Sequence, residues 1–301
     1  MNLQFGLIGH PVFHSISPFI HERLFKLSKI SAEYHLFDIS PNNLTNSVNF
    51  LKKLDGYNVT IPYKQKIIPF LNNLCDKAKL YKCVNTVKNG SFSSGFNTDA
   101  NGFLSALDFE KITLSGDVVI LGCGGAARIF CFESVLRNCD VTLAVRNQSI
   151  SHAKILVNDV KSATGKIVSV TSIDNLPQNI DLLINATPVG MFPNVTQMPV
   201  SDAYLKNCTA VFDAIYNPIE TLLIKKARSN GAKVASGMSM LVFQAVFAHK
   251  IWTDSTFSHS DIFQLILDSK ENLKKFGWFS MFLNKNINFN IVLCGFMGCG
   301  K

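Results

Sequence analysis

Two hydrophobic patterns follow one another along this chain and change over near residue 110. In the first stretch, short apolar runs alternate with segments of helical spacing. Residues 3–8 read as a strand and 18–28 as a helix, with Ser17 at its N-cap and Pro18 in its first turn. Residues 34–38 predict a second strand, 43–53 a helix and 56–60 a short strand. Residues 64–80 read as helical with a break near Pro69, and 84–87 with 92–96 predict a hairpin turning at Asn89-Gly90. A helix follows from about Asp99.

Beyond residue 116 further strands are expected at 118–121, 141–145, 167–171, 182–185, 210–213 and 233–235, with helices between them. Residues 239–253 read as an amphipathic helix that returns to the first domain. The expected fold class is α/β: an N-terminal α/β domain over 1–110, a Rossmann-like dinucleotide-binding domain over 111–237, helices from 238–272 that complete the first domain, and a cleft between the two. Residues 273–301 remain as a linker and tail.

The first apolar run of the second domain breaks into Gly122-Cys123-Gly124-Gly125-Ala126-Ala127. This fits G-x-G-x-x-G/A after a buried strand, where glycines let backbone approach a pyrophosphate and the next helix offers free N–H groups. A glycine turn that binds nothing is the other reading of these residues. The second strand ends in Arg146-Asn147, without the carboxylate that would hold a ribose hydroxyl in an NAD site. A guanidinium there suits the 2′-phosphate of NADP, and an ordinary surface arginine is the alternative. Only five of the 29 basic residues are arginines, which makes this one notable.

Composition narrows the rest. A chain of 301 residues with 47% hydrophobic and 17% charged residues has enough apolar side chains for two globular cores. The net charge of +8 is spread among lysines without a basic run or an RNA-binding aromatic motif, so nucleic acid is not an expected partner. A diffuse positive field favours small anionic ligands. The eight cysteines form no C-x-x-C or zinc spacing, so no metal is expected, and reduced thiols in a cytoplasmic protein are the simplest reading. The N-terminus lacks the features of a signal peptide, and no run of about 18 apolar residues suggests a membrane span. Monomer and homodimer both remain open.

Polar residues cluster at the ends of the strands expected in the first domain. His14-Ser15-Ile16-Ser17-Pro18 puts two hydroxyls before a helix. Asn58-Val59-Thr60 leads into Pro62-Tyr63-Lys64, and Val84-Asn85-Thr86 and Asn97-Thr98-Asp99 set amides, hydroxyls and a carboxylate at strand ends. Ligands of open α/β sheets bind outside the carboxyl ends of strands, so these groups converge on one ligand. Each also has a simpler role: Ser17 or Asp99 as a helix cap, the asparagines as turn residues, Lys64 as a solvated lysine.

Taken in order, these blocks resemble the shikimate dehydrogenase family. The resemblance rests on Ile8-Gly-His-Pro11 through His14-Ser-Ile-Ser-Pro18 and His21, Gly56–Lys64, Val84-Asn-Thr86, Gly95–Asp99, Gly122–Ala126, Asn185-Ala-Thr187 with Gly190-Met191, and Gly237–Gln244, and it covers about residues 3–270. It implies an NADP-dependent oxidoreductase interconverting 3-dehydroshikimate and shikimate, in chorismate and aromatic amino acid biosynthesis. It implies Lys64 and Asp99 as the catalytic pair, and Ser15 and Ser17 on the substrate carboxylate. Thr60, Asn85, Asp99 and Gln244 would bind the ring hydroxyls, with Tyr216 beside the substrate. It further implies that Gly122, Cys123, Gly124, Gly125 and Ala126 cradle the pyrophosphate, that Arg146 meets the 2′-phosphate, and that Asn185, Thr187, Ala214 and Gly237 run toward the nicotinamide. Quinate, alone or beside shikimate, is the alternative substrate. The chain departs from the family in lacking a second arginine after Arg146, where the segment 148–154 offers only His152 and Lys154, and in having Ala100 where glycine is usual.

The tail adds a second glycine cluster. Gly295-Phe-Met-Gly-Cys-Gly300-Lys301 after an apolar run resembles the phosphate loop that opens shikimate kinases. The expectation is the start of a truncated second domain, from a bifunctional dehydrogenase–kinase fusion or a fragmentary gene. A chance glycine cluster is the alternative.

Overall fold

The computed structural model describes residues 2–284, with the side chains of residues 2–275. The tail at 287–301, with its glycine cluster, lies outside the described residues. The chain forms two compact units. One runs to Thr98 and resumes at Val242, and the other runs from Asp99 to Leu241.

The first unit opens with strand β1 (Leu3–Gly9), helix α1 (Ser17–Ser28), β2 (Ala32–Asp38), α2 (Leu44–Leu51) and β3 (Gly56–Val59). It continues with β4 (Asn73–Leu74), α3 (Asp76–Tyr81), β5 (Thr86–Lys88) and β6 (Ser94–Phe96). Its six-stranded sheet has the order β2-β1-β3-β5-β6-β4. β1 lies parallel to both neighbours, whereas β3, β5 and β6 run antiparallel in turn, with Asn89-Gly90 in the β5–β6 connection as expected.

Two local expectations are corrected. The segment 64–80 is not one helix: it holds a 3-10 turn at Ile68–Phe70, the short β4 and only then α3. Pro69 and the pairing of β4 with β6 take the backbone out of helix. Ser17 is not the N-cap of α1 but its first residue, and Ile16 precedes it without a side-chain cap. The hydroxyl that accepts the Ser17 N–H belongs to Ser15, at 3.2 Å.

The second unit contains α4 (Asp99–Phe109), β7 (Asp117–Leu121), α5 (Gly125–Leu136), β8 (Asp140–Val145), α6 (Ile150–Thr164), β9 (Ser169–Ser172) and β10 (Ile180–Asn185). It continues through α7 (Asp202–Leu205), β11 (Cys208–Asp213), α8 (Leu222–Ser229) and β12 (Lys233–Ser236). The sheet order is β12-β11-β10-β7-β8-β9, and every pairing is parallel. This is the doubly wound order, which reverses direction between β7 and β10. Helix α5 is buried along almost its whole length, and its Phe130 packs on Phe103 of α4 and Phe212 of β11 with ring centroids 4.5 and 5.4 Å away.

Helix α9 (Gly237–Thr253) follows, then α10 (His259–Asn284). The expectation of an amphipathic α9 is corrected: from Gly237 to Ala245 every residue is buried, including Ser239 and Gln244. A helix enclosed on all sides carries apolar residues all round, which removes the amphipathic signal. In the first unit, its Trp252 stacks near Phe5 at 4.7 Å and donates to the Val87 carbonyl at 2.9 Å. A side chain at Gly56 would collide with the Trp252 indole, which explains the glycine that opens β3.

Beside Trp252, His21 of α1 and His249 of α9 share a hydrogen bond of 3.1 Å in full burial, with Tyr34 stacked flat on His21 at 4.2 Å. Burial holds both imidazoles neutral, His21 well below its ordinary value and His249 at about 3. The unfolded chain protonates these rings near 6.5 while the fold resists, so their contribution is intact above that pH and is lost on acidification. The expected slope is up to about 1.4 kcal/mol per pH unit for each ring. Calorimetry from pH 7 to pH 4 should therefore show a falling Tm, and the fall should be shallower in His249→Phe, which keeps an aromatic ring and removes one titrating group. An equally steep fall in the variant would assign the acid sensitivity elsewhere.

Candidate active site

In the first unit the polar residues singled out from the sequence lie at the carboxyl ends of parallel neighbours β1 and β3 and in the segments that follow. Thr60 directly follows β3, and its N–H donates to the Ile8 carbonyl at 2.9 Å. Gly9, at the end of β1, has no room for a side chain, because a Cβ there would stand 2.4 Å from the Thr60 methyl. Ser15 donates to the Ser17 hydroxyl at 3.0 Å, so both oxygens are brought together at the start of α1. Lys64 is half-buried, and its carbonyl accepts from Val84 N–H at 2.8 Å, which ties the lysine to the residue before Asn85.

The asparagines are not turn residues. Asn58 lies buried within β3, where Tyr34 donates to its Oδ1 at 2.7 Å and its Nδ2 donates to Thr86 Oγ1 at 3.1 Å. Asn85 donates to Thr98 Oγ1 at 2.8 Å and to Gln244 Oε1 at 3.3 Å, and it accepts the Thr98 N–H at 2.7 Å. Asn97 donates to the Cys83 carbonyl at 3.1 Å. A connected set running from Tyr34 through Asn58, Thr86 and Asn85, which also bonds Thr98, to Gln244 holds the amide groups in fixed orientations. Buried polar groups with satisfied partners specify one arrangement, whereas unsatisfied ones cost about 1–3 kcal/mol each. Asp99, the first residue of α4, is also buried.

In the second unit the glycine turn falls where the sheet order reverses. Gly122 follows β7 with φ +101°, and an added Cβ would lie 3.1 Å from the Thr187 methyl and 3.3 Å from the Ala186 carbonyl. Its backbone conformation favours glycine, and its neighbours would have to give by a few tenths of an ångström to admit a side chain. Gly124 stands before α5 with no side-chain cap on the helix N-terminus, and a Cβ on Gly125 would meet nothing within 4 Å. Open space above an uncapped helix N-terminus fits a pyrophosphate, which needs donors and close backbone approach. Cys123 within the turn has its thiol pushed up by burial, so it stays protonated and unreactive. Arg146 is exposed at the end of β8, where a 2′-phosphate could meet it.

Across the switch point, Asn185 ends β10 with its Oδ1 accepting from Thr187 N–H at 3.0 Å and Thr187 Oγ1 at 2.7 Å. Ala214 N–H donates to the Asn185 carbonyl at 3.0 Å, and Gly237 N–H donates to Ile215 O at 3.2 Å. A side chain on Gly237 would strike the Ala214 carbonyl at 2.2 Å. Tyr216 is half-buried, and desolvation raises its phenol to about 12, so it is neutral.

Sequence reasoning overlooked one residue here. Asp213, which ends β11, is fully buried and accepts from Asn185 Nδ2 at 3.0 Å, Ile215 N–H at 3.1 Å and Thr221 Oγ1 at 2.6 Å. Burial raises its carboxyl to about 7 against the opposing pull of those three donors. The available signal was a lone acid closing the apolar run Ala210-Val-Phe-Asp213. Among the described residues, no cluster of three or more His, Cys, Asp or Glu side chains could hold a metal, and no helix is long and apolar enough to cross a membrane.

The three glycines predict different thermal behaviour. Gly237→Ala must displace backbone and should lower Tm most, by several degrees or to loss of folding; Gly122→Ala, strained by positive φ, should lower it by an amount equivalent to about 1–2 kcal/mol. Gly125→Ala should leave Tm unchanged or slightly raised, because it adds a methyl group into open space. A destabilised Gly125→Ala would contradict the geometry of the turn.

Comparison with known proteins agrees with this layout. Residues 7–87 match the family model for the shikimate dehydrogenase substrate binding domain. A shikimate dehydrogenase (NADP(+)) of Caldanaerobacter subterraneus is 38% identical over 268 residues, covering 87% of this chain and 95% of that protein. Among solved structures, a shikimate dehydrogenase in complex with NADP+ superposes with a TM-score of 0.83 at 35% identity, covering 89% of this chain and 95% of that one. The Thermus thermophilus shikimate 5-dehydrogenase, in complex with NADP(H) and shikimate, has a TM-score of 0.80 at 28% identity, with 89% and 99% covered. The chain belongs to the shikimate dehydrogenase family.

Proposed function

We propose that this chain catalyses the reversible, NADP-dependent reduction of 3-dehydroshikimate to shikimate, with Lys64 and Asp99 as its catalytic pair. The observation that carries the reading is the combination, in one chain, of a fixed buried amide–hydroxyl network in the first unit with an uncapped, glycine-fronted helix at the switch point of the second. The extensive identity to NADP-dependent shikimate dehydrogenases supports it. Its partners are small molecules, and its compartment is the cytoplasm.

NADPH, when bound, supplies the hydride that reduces the substrate ketone. The alkoxide left on the substrate oxygen then needs one proton. An ammonium at Lys64 stabilises that charge and delivers the proton to the oxygen, while Asp99 orients the substrate hydroxyl beside it. In the oxidation direction the same lysine, as the free amine, removes the hydroxyl proton. Ser15 and Ser17 present two hydroxyls to the substrate carboxylate. Thr60, Asn85 and Gln244 hold the ring hydroxyls, and Tyr216 lies at the ring's side. The network behind Asn85 and Gln244 keeps these amides oriented before the substrate arrives, which avoids an ordering cost during binding. Gly122 to Ala126 meet the pyrophosphate, Arg146 the 2′-phosphate, and Asn185, Thr187, Ala214 and Gly237 the nicotinamide end.

The direct test follows absorbance at 340 nm during shikimate oxidation, with NADP+ and NAD+ compared, and with quinate in place of shikimate. Faster turnover of shikimate with NADP+ is expected, and faster oxidation of quinate would reassign the substrate. Lys64→Ala should lower kcat by about 10²–10⁴-fold with little change in the KM for shikimate. Near-normal turnover would remove Lys64 from the chemistry. Gly125→Ala should keep its fold and lose affinity for NADP+, because its methyl group takes space assigned to the phosphates.

A further inference from the structure

We propose that Asp213 is the positioning residue of the nicotinamide end of the cofactor site, fixing Asn185, Thr187, Ala214 and Gly237 through one buried carboxylate. The proposal rests on the NADP reading above. The strand ladder holds the backbone at these strand ends, and the Asn185 amide also donates to the Val189 carbonyl at 3.4 Å; the Asp213 carboxylate adds the contacts that orient the groups beyond the strands. Asn185 donates its amide to Asp213 Oδ1, which turns its own Oδ1 toward the N–H and hydroxyl of Thr187. Thr187 Oγ1 then accepts the Val189 N–H at 3.2 Å, which shapes the next turn. On the other side, Asp213 Oδ1 also accepts Ile215 N–H, which bends the backbone carrying Ala214 just past β11. The Ile215 carbonyl in turn accepts the Gly237 N–H that opens α9. The ends of β10 and β11 thereby meet at a single oxygen, and the start of α9 is linked to it through the Ile215 backbone.

The second carboxylate oxygen has a different duty. Oδ2 accepts from Thr221, whose hydroxyl oxygen also caps α8 by accepting the Ile224 N–H at 3.3 Å. This arrangement separates the positioning role from a purely structural one, because each oxygen serves one of them. It also fixes what the side chain must be. Oδ1 has to accept two hydrogen bonds, whereas Oδ2 can accept from Thr221 or, when protonated, donate to it. An amide meets both requirements, with its oxygen toward Asn185 and Ile215 and its nitrogen toward Thr221. Alanine meets neither, and leaves two buried N–H donors without an acceptor.

The test measures NADP+ affinity by the cofactor's effect on intrinsic fluorescence, together with steady-state KM values and Tm, in the full chain. Asp213→Ala should weaken NADP+ binding about tenfold or more and raise the KM for NADP+ in parallel, with the KM for shikimate changed less than about threefold. Asp213→Asn should restore NADP+ affinity to within about threefold of wild type. Thr221→Val should lower Tm while leaving NADP+ affinity within about twofold, because it removes only the partner of Oδ2. Where Asp213→Ala does not fold, Asp213→Ser leaves a smaller cavity and carries the same expectation. Unchanged NADP+ affinity in a folded Ala or Ser variant would overturn the proposal, as would an Asn variant as weak as Ala or a Thr221→Val variant that loses as much affinity. Wild type is measured first: failure to bind NADP+ would overturn the cofactor reading itself, whereas normal wild-type binding with indifferent Asp213 variants would overturn only this one.

Discussion

A parallel strand covered by helices on both faces can present polar chemistry only where it ends, and that constraint arranges the second unit of this chain. β7, β8, β10 and β11 begin with exposed or polar positions and become buried and apolar in the residues that lead to their carboxyl ends. The groups that follow or close them are Gly122, Arg146, Asn185 and Asp213. A polar side chain further back would face hydrocarbon without a partner, at a cost comparable to the loss of a sizeable apolar contact. Because the sheet order reverses between β7 and β10, the helices leaving these two strands go to opposite faces and the strand ends stay accessible. The chemistry is thus placed by what the core cannot tolerate.

The first unit solves the same problem differently. Its sheet is mixed, and Asn58 sits buried inside β3 instead of beyond it. Such an amide is tolerable because Tyr34, Thr86 and the Asn85 carbonyl satisfy it from neighbouring elements. The network then passes through Asn85, which also bonds Thr98, to Gln244, from a residue near the start of the chain to one beyond residue 240. Tertiary closure of this unit and orientation of its polar groups are one event, since Gln244 reaches Asn85 only when α9 has packed.

This difference explains what the sequence disclosed and what it hid. The second unit was largely legible, because the central strands close in short apolar runs whose ends are marked by the first glycine or polar residue. Arg146 stood out in that way, whereas Asn185 was singled out only by the family resemblance. Asp213 stands at an equivalent position and passed unnoticed, since its importance lies in Thr221 and Ile215, which surround it only after β11 turns toward α8. In the first unit, the residue types Asn58, Asn85 and Asn97 stood out, yet turn and core asparagines are indistinguishable without their partners. The segment 64–80 has the apolar spacing of a helix, but Pro69 and the pairing of β4 with β6 prevail over that spacing. Ser17 fails to cap α1 for a similar reason: where a helix begins depends on the backbone angles before it, and those are set by the loop from β1.

The glycines sharpen the distinction between residues kept for the fold and residues kept for a ligand. Gly9, Gly56 and Gly237 are enclosed, each with protein atoms within 3 Å of where a Cβ would be. Close packing alone accounts for them. Gly122 is constrained twice, by its positive φ and by the Ala186–Thr187 backbone and methyl beside it. Gly125 is constrained by nothing in the chain: its helical backbone suits any residue, and the space around it is open. Glycine in the first turn of a helix lowers stability relative to alanine, so its presence there favours a function over the fold. The same logic applies to Asp213. A buried carboxylate raised to about 7 is costly to keep, and hydrophobic residues would pack β11 against α8 with less penalty. What an apolar residue could not do is hold the Asn185 amide and the Ile215 N–H at once, and that requirement is the physical reason for a polar acceptor at the end of this strand.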